Sequence, residues 1–114
     1  MKGLIAVSVG IGCLVLSAPA SAQDKVQQGS ALFTSQKCAL CHSVAGKGNK
    51  KGALDDVGGK LKADEIRAWL TTPDVMREKT HATRTPAMKD PKLAKDQVDA
   101  LVAFLSAQKN AASK

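Results

Sequence analysis

The sequence predicts one small all-α domain of three to five helices. Three observations support this fold class. Apolar residues recur at helical spacing in separate stretches, residues typical of helix starts and ends flank those stretches, and no stretch shows the apolar and polar alternation of a strand. Gly and Pro residues are concentrated between the helical stretches, where loops are expected.

The first 22 residues predict a secretory signal peptide that is cleaved after Ala22. Lys2 supplies the positive charge, residues 4–16 form an apolar run, and small residues precede the cleavage point. A membrane helix is the alternative, but the run is shorter than the about 20 residues that a span requires. Cys13 lies in this run, and we expect it to leave with the peptide. The mature domain then covers residues 23–114 and is exported to the periplasm, with no stable membrane insertion.

Composition limits what the mature domain can be. Removing residues 1–22 leaves 92 of the 114 residues, which allows one domain with a small core. The chain has two Phe, one Trp and no Tyr, so an apolar cofactor would help to fill that core. The formal charge of +7 becomes +6 on loss of Lys2. Because acidic residues are interspersed among the lysines, nucleic acid is not an expected partner, whereas an acidic protein is.

The first half of the mature chain predicts one helix and one long loop. Residues 24–36 form the helix, with Asp24 as its N-cap. Residues 44–59 are rich in Gly, Lys and Asp and predict a solvated loop. Leu54 and Val57 are the apolar exceptions in this loop, and we expect them to point inward.

The second half predicts three helices. Residues 63–70 begin with acidic side chains and end before Pro73, as a helix should. A short helix follows over 73–79, since Pro is favoured in a first turn. Residues 80–91 contain two prolines without periodicity and predict a loop, and residues 95–108 carry the apolar stripe of a last helix.

The chemistry is concentrated in residues 38–42, which read Cys-Ala-Leu-Cys-His. Thiols three positions apart lie about one helical turn from each other, so they can reach the two vinyl groups of one porphyrin. The adjacent imidazole can then bind the iron. In an exported protein this pattern indicates c-type haem attachment. It predicts one covalently attached haem c, with thioethers at Cys38 and Cys41 and with His42 as an axial iron ligand.

Three other uses of these cysteines are possible in principle. A thioredoxin-like dithiol also has this spacing, but it expects a βαβ setting. A structural zinc site needs four ligands, and beyond Cys38, Cys41 and His42 the mature chain offers only His81 as a further Cys or His. A disulfide between the two cysteines would close so short a loop that it adds little stability.

From these residues outward, the chain resembles the class I cytochrome c family over residues 24–108. That family has a Gly and an aromatic residue four positions apart on its first helix, matched here by Gly29 and Phe33. Its last helix carries a Leu-x-x-aromatic-Leu pattern, matched by Leu101, Phe104 and Leu105. The resemblance implies the small cytochrome c fold, in which the two terminal helices cross and the helices wrap around one haem.

The second axial ligand has three candidates. A Met thioether suits the iron of a carrier and raises the reduction potential relative to two His ligands. Met88 follows Pro86 in a loop, and the ligand Met of the family similarly follows a Pro. Met76 lies in a predicted helix, where Met more often fills the core. His81 lies in a polar loop, where solvation is the expected state. Met88 is therefore the predicted ligand.

The sequence leaves alternatives open for two contacts around the haem. The ligand imidazole usually donates its other N–H to a backbone carbonyl, which the family supplies from a Pro-containing segment. Residues 52–54 stand in that place without the Pro, so either Gly52 or Ala53 presents the carbonyl. Trp69 either donates its indole N–H to a haem propionate or packs in the core.

Two protein ligands leave no open position on the iron. The sequence therefore predicts a one-electron carrier of a respiratory chain, not an enzyme, and a monomer that meets redox partners with acidic surfaces. Six lysines near the haem-binding segments could surround the exposed haem edge: Lys37, Lys47, Lys50, Lys51, Lys89 and Lys92. A haem peroxidase or gas sensor with a displaceable sixth ligand is one alternative. A fixed electron-transfer subunit of a larger redox complex is the other.

Overall fold

A computed structural model describes residues 22–109 continuously, together with Gly3, Gly10 and Gly12. Apart from Ala22 and these three glycines, the predicted signal peptide lies outside the described residues, and its cleavage stays a prediction. The last five residues of the predicted mature domain, 110–114, also lie outside them.

The described residues form five α-helices, which confirms the all-α fold class. The helices are α1 Ala22–Ser35, α2 Val57–Lys60, α3 Ala63–Thr71, α4 Pro73–Thr80 and α5 Lys95–Ser106. Two single 3-10 turns, Cys38–Leu40 and Lys50–Gly52, precede α2. Four of the helices lie where the sequence predicts them, and residues 81–94 contain no helix, as expected.

The loop predicted over residues 44–59 is more structured than the sequence indicates. Strands β1 Ser43–Val44 and β2 Lys47–Gly48 form an antiparallel hairpin, so the expectation of no strands is wrong here. Ala45 and Gly46 connect the strands with φ values of 52° and 78°, which suits the left-handed turns of two-residue hairpins. Two residues per strand are too few for an alternating pattern to show. The four-residue helix α2 also lies within this segment.

The predicted N-cap of the first helix is also corrected. Because α1 begins at Ala22, Asp24 lies in the first turn of the helix and not at its cap. An acidic side chain in that turn still faces the positive end of the helix dipole. Asp24 therefore still interacts favourably with the helix dipole, although the observed helix begins two residues before the predicted start.

The core lies between α1, α3 and α5. Leu101 is fully buried, and the rings of Phe33 and Phe104 are 5.9 Å apart at a tilt of 59°, a favourable aromatic arrangement. The other buried members of this core cluster come from α3 and α5: Ile66, Leu70, Val98, Val102 and Leu105. Leu54 and Val57 pack against the cluster, as predicted.

Helices α1 and α5 cross at Gly29. A Cβ atom at this position would overlap the carbonyl oxygen of Ala100 and the Cβ of Phe104. Only a residue without a side chain allows so close an approach. The crossing of the terminal helices, which the resemblance implies, is therefore confirmed.

None of the helices in the described part of the chain is both long enough and apolar enough to cross a membrane.

Candidate functional site

The Cys-Ala-Leu-Cys-His motif forms a tight turn directly after α1. Lys37 adopts a left-handed conformation (φ 61°, ψ 26°) that separates α1 from the 3-10 turn at Cys38. The backbone N–H groups of Cys41 and His42 both donate to the Cys38 carbonyl, at 3.1 and 2.9 Å. This turn presents both cysteines and the histidine within five residues.

The two cysteines differ in their surroundings. Cys38 is half-buried and packs against the core cluster, whereas Cys41 is exposed. Burial raises the pKa of the Cys38 thiol, so this group is protonated at neutral pH. The two thiols are not joined in a disulfide, and the disulfide alternative therefore gains no support.

His42 is held by the backbone of the segment that follows the hairpin. Its Nδ1 lies 3.1 Å from the carbonyl oxygen of Gly52. A carbonyl only accepts hydrogen bonds, so Nδ1 carries the hydrogen and Nε2 keeps its lone pair for a metal. Burial lowers the pKa of His42, the Gly52 hydrogen bond opposes this, and the Arg84 charge adds to the lowering. Of the two predicted carbonyls, Gly52 and not Ala53 is the acceptor.

Asn49 organises the turn that carries the motif. Its backbone N–H is shared between the Ala39 and His42 carbonyls, both at 3.0 Å. Its side chain donates to the Leu40 carbonyl at 3.1 Å and accepts from the Lys51 N–H at 3.0 Å. No motif in the sequence marks Asn49 as a functional residue. The preference of Asn for turns is the only signal in the sequence, and it does not identify the partners.

Arg84 connects a distant loop to the same turn. Its Nη2 donates to the Cys41 carbonyl at 2.6 Å, and its guanidinium lies against the Cα of Gly52. No motif in the sequence marks Arg84 either. Because the partners are 43 positions apart in the chain, no local pattern could reveal the contact.

The three candidates for the second axial ligand occupy different environments. Met88 is half-buried and packs against the core cluster, as Cys38 does. Met76 is 6% exposed and serves as a core residue of α4, as predicted. His81 is exposed at the end of α4 and lines an open surface cleft with Asp74 and Glu78. Met88 remains the predicted ligand.

The chain matches one known protein family. The model of the cytochrome c family matches residues 26–109, a range that includes the whole motif and all three candidates for the second ligand. The chain belongs to the cytochrome c family. No curated protein and no solved structure matches it significantly.

Membership of the family establishes the cofactor and the general activity. Cytochromes c bind covalently attached haem c with its iron and transfer electrons. The side chains of this cytochrome suit that group, because two unpaired thiols and a neutral imidazole with a free Nε2 lie in one turn. The cofactor is therefore haem c, and the chain is an electron-transfer protein.

The alternatives for the motif receive no support in this cytochrome. Among residues 22–109, no three His, Cys, Asp or Glu side chains are grouped so that they could hold a metal ion on their own. The two described strands, of two residues each, form an antiparallel hairpin and not a βαβ unit. Trp69 is half-buried on α3, which is compatible with both a haem propionate contact and packing in the core.

Proposed function

We propose that this cytochrome is an exported one-electron carrier. Its haem is attached through Cys38 and Cys41, and its iron is bound by His42 on one side and Met88 on the other. Haem c supplies an iron that alternates between the ferric and ferrous states. The observation that carries the proposal is the hydrogen bond of His42 Nδ1 to Gly52, which fixes the ring and leaves Nε2 for the iron.

Each proposed site residue has a distinct task. Cys38 and Cys41 anchor the ring covalently, so the cofactor stays bound in both oxidation states. The Gly52 carbonyl orients His42 and increases its basicity. Met88 would supply the second protein ligand of the iron, which would disfavour reactions that need an open site on the metal. Packing of Met88 against the core cluster supports this role.

The surface charge supports brief docking to acidic redox partners in the periplasm. The six lysines that flank the proposed haem segments are all exposed. Opposite potentials accelerate the encounter of two proteins, and salt weakens it. We propose that the carrier is a monomer that binds its respiratory partners weakly, as redox proteins generally do.

The experiment that tests the proposal is the absorption spectrum of the protein after export in cells that attach haem. We expect the ferric form to show the weak long-wavelength sulfur-to-iron band, and carbon monoxide to leave the ferrous spectrum unchanged. A low-spin spectrum without that band would assign the sixth position to His81. A high-spin spectrum or carbon monoxide binding would favour the peroxidase or gas-sensor alternative.

Two further measurements complete the test. The mass of the exported protein should equal residues 23–114 plus one haem, which checks both cleavage and covalent attachment. Size-exclusion chromatography should show a monomer. Recovery of the protein only within a larger complex would support the alternative of a fixed subunit.

A further inference from the structure

The segment that carries Met88 has few polar ties to the rest of the molecule. Within the described residues, the backbone of residues 83–93 makes no hydrogen bond with the backbone of another segment. Met88 and Leu93 pack against the core cluster, but both are only half-buried. The position of this segment therefore depends on a few side-chain contacts.

Arg84 makes one of these contacts at a functionally sensitive place. Its Nη2 donates to the carbonyl of Cys41 at 2.6 Å, which is a short hydrogen bond from a charged donor. The guanidinium also lies against Gly52, where a Cβ would overlap Arg84 Nη1 and the Cys41 carbonyl oxygen. The absence of a side chain at Gly52 makes room for this arrangement.

Both backbone groups that Arg84 contacts also determine where His42 lies. The Cys41 carbonyl belongs to the peptide that leads into His42, and Gly52 accepts the hydrogen bond of the His42 ring. Arg84 stands four residues before Met88 in the chain. The Arg84 guanidinium thus connects the backbone that positions His42 to the segment that carries Met88.

We propose that Arg84 is a positioning residue that holds the Met88 segment against the haem-attachment turn and so keeps Met88 on the iron. The inference rests on the proposed function, because it takes Met88 as the sixth ligand. The guanidinium contacts Gly52 through Nη1 and Cζ while Nη2 donates to Cys41, and a compact ammonium group cannot make this two-point contact.

The effect of Arg84 should be local. The residue is exposed, and exposed charged contacts contribute little to global stability. The same contact matters more for residues 83–93, whose backbone is otherwise weakly tied. Loss of Arg84 should therefore increase local opening of the segment more than global unfolding.

The experiment uses the ferric holoprotein and its Arg84→Gln, Arg84→Lys and Arg77→Gln variants. Arg77 is a matched control, since it is an exposed Arg on α4. Stopped-flow spectroscopy measures how fast imidazole displaces Met88, followed by loss of the sulfur-to-iron band. We expect Arg84→Gln to react about tenfold faster than the wild type, in line with loss of a charge-assisted hydrogen bond. Arg84→Lys should be intermediate, and Arg77→Gln should stay within about twofold.

Denaturant unfolding of the same variants separates positioning from general destabilisation. We expect similar unfolding midpoints for all of them. Equal displacement rates in Arg84→Gln and Arg77→Gln would overturn the inference and leave the Met88 assignment intact. A loss of global stability that matches the rate increase would also overturn it. Absence of the sulfur-to-iron band from the wild type would overturn both the inference and the proposed ligation.

Discussion

His42 makes its hydrogen bonds with backbone groups. Its ring donates to the Gly52 carbonyl, its own N–H donates to Cys38, and its carbonyl accepts from Asn49. The path of residues 49–52 therefore sets the orientation of the imidazole. The sequence identifies His42 from its spacing to the cysteines, but it does not determine which carbonyl supports the ring, because that depends on how the hairpin folds.

Met88 and Met76 provide a matched pair of substitutions at the residue scale. In Met88→Ala the sulfur-to-iron band should disappear and the ferrous protein should bind carbon monoxide, because the sixth position opens. In Met76→Ala the band should persist, but the free energy of unfolding should fall by about 2–5 kcal/mol, since a buried side chain is truncated. Ferric and ferrous spectra and urea denaturation measure both effects. Retention of the band in Met88→Ala would contradict the assignment.

The long helices can be located from residue patterns along the chain, whereas the shortest elements cannot. Through the family resemblance, the pair Gly29 and Phe33 and the pattern on α5 imply the crossing of the terminal helices. The structure shows why residues of these sizes are needed, since the two helices pack closely at this crossing. In contrast, each strand of the β1–β2 hairpin has only two residues, and α2 has only four. Elements this short carry too few residues for a period to appear, and tertiary contacts such as the Ala45 N–H to Asp55 Oδ1 hydrogen bond at 2.7 Å support them.

An ion pair links α3 to α5. Arg67 Nη2 lies 2.7 Å from Asp99 Oδ1, and this hydrogen bond is the main reason that the pKa of Asp99 lies below its ordinary value. A carboxylate with a lowered pKa stabilises the folded state above the pH at which it titrates when unfolded, about 3.9. That contribution is lost as the pH falls through the lower, folded value.

A double-mutant cycle tests this ion pair. Unfolding of the wild type, Asp99→Asn, Arg67→Gln and the double variant should give a favourable coupling free energy at pH 7. Since both side chains are partly exposed, the coupling should be small and should weaken in high salt. It should decline below about pH 4 as Asp99 gains a proton. A coupling that is absent at pH 7, or that grows with acidity, would contradict the assignment.

At the scale of the whole molecule, positive charge dominates the surface. The full chain has a formal charge of +7, and all six lysines near the proposed haem segments are exposed. A field of this sign attracts anionic reactants toward the protein and repels cationic ones. The charge thus affects how fast partners arrive more than how firmly they bind.

Small inorganic oxidants test this field without a protein partner. Oxidation of the ferrous cytochrome by ferricyanide should slow severalfold as ionic strength rises from about 0.01 to 0.15 M, because the Debye length falls from about 30 to 8 Å. A cationic oxidant should show the opposite trend. Lys89→Gln should weaken the salt dependence more than Lys62→Gln, a control outside the six lysines. Equal effects of the two substitutions would place the electron exit away from Lys89.

The sequence alone determined the all-α class, the boundaries of the main helices to within a few residues and the haem motif. These features depend on residues at fixed intervals along the chain, because both helical periodicity and covalent haem attachment require such intervals. The ranking of Met88 over Met76 and His81 stays a prediction. Only the tertiary structure decided that Gly52 supports His42, that Asn49 organises the turn and that Arg84 reaches Cys41. Each of these contacts joins residues that are brought together by the fold. Patterns of neighbouring residues in the sequence do not show which distant groups will lie close in space.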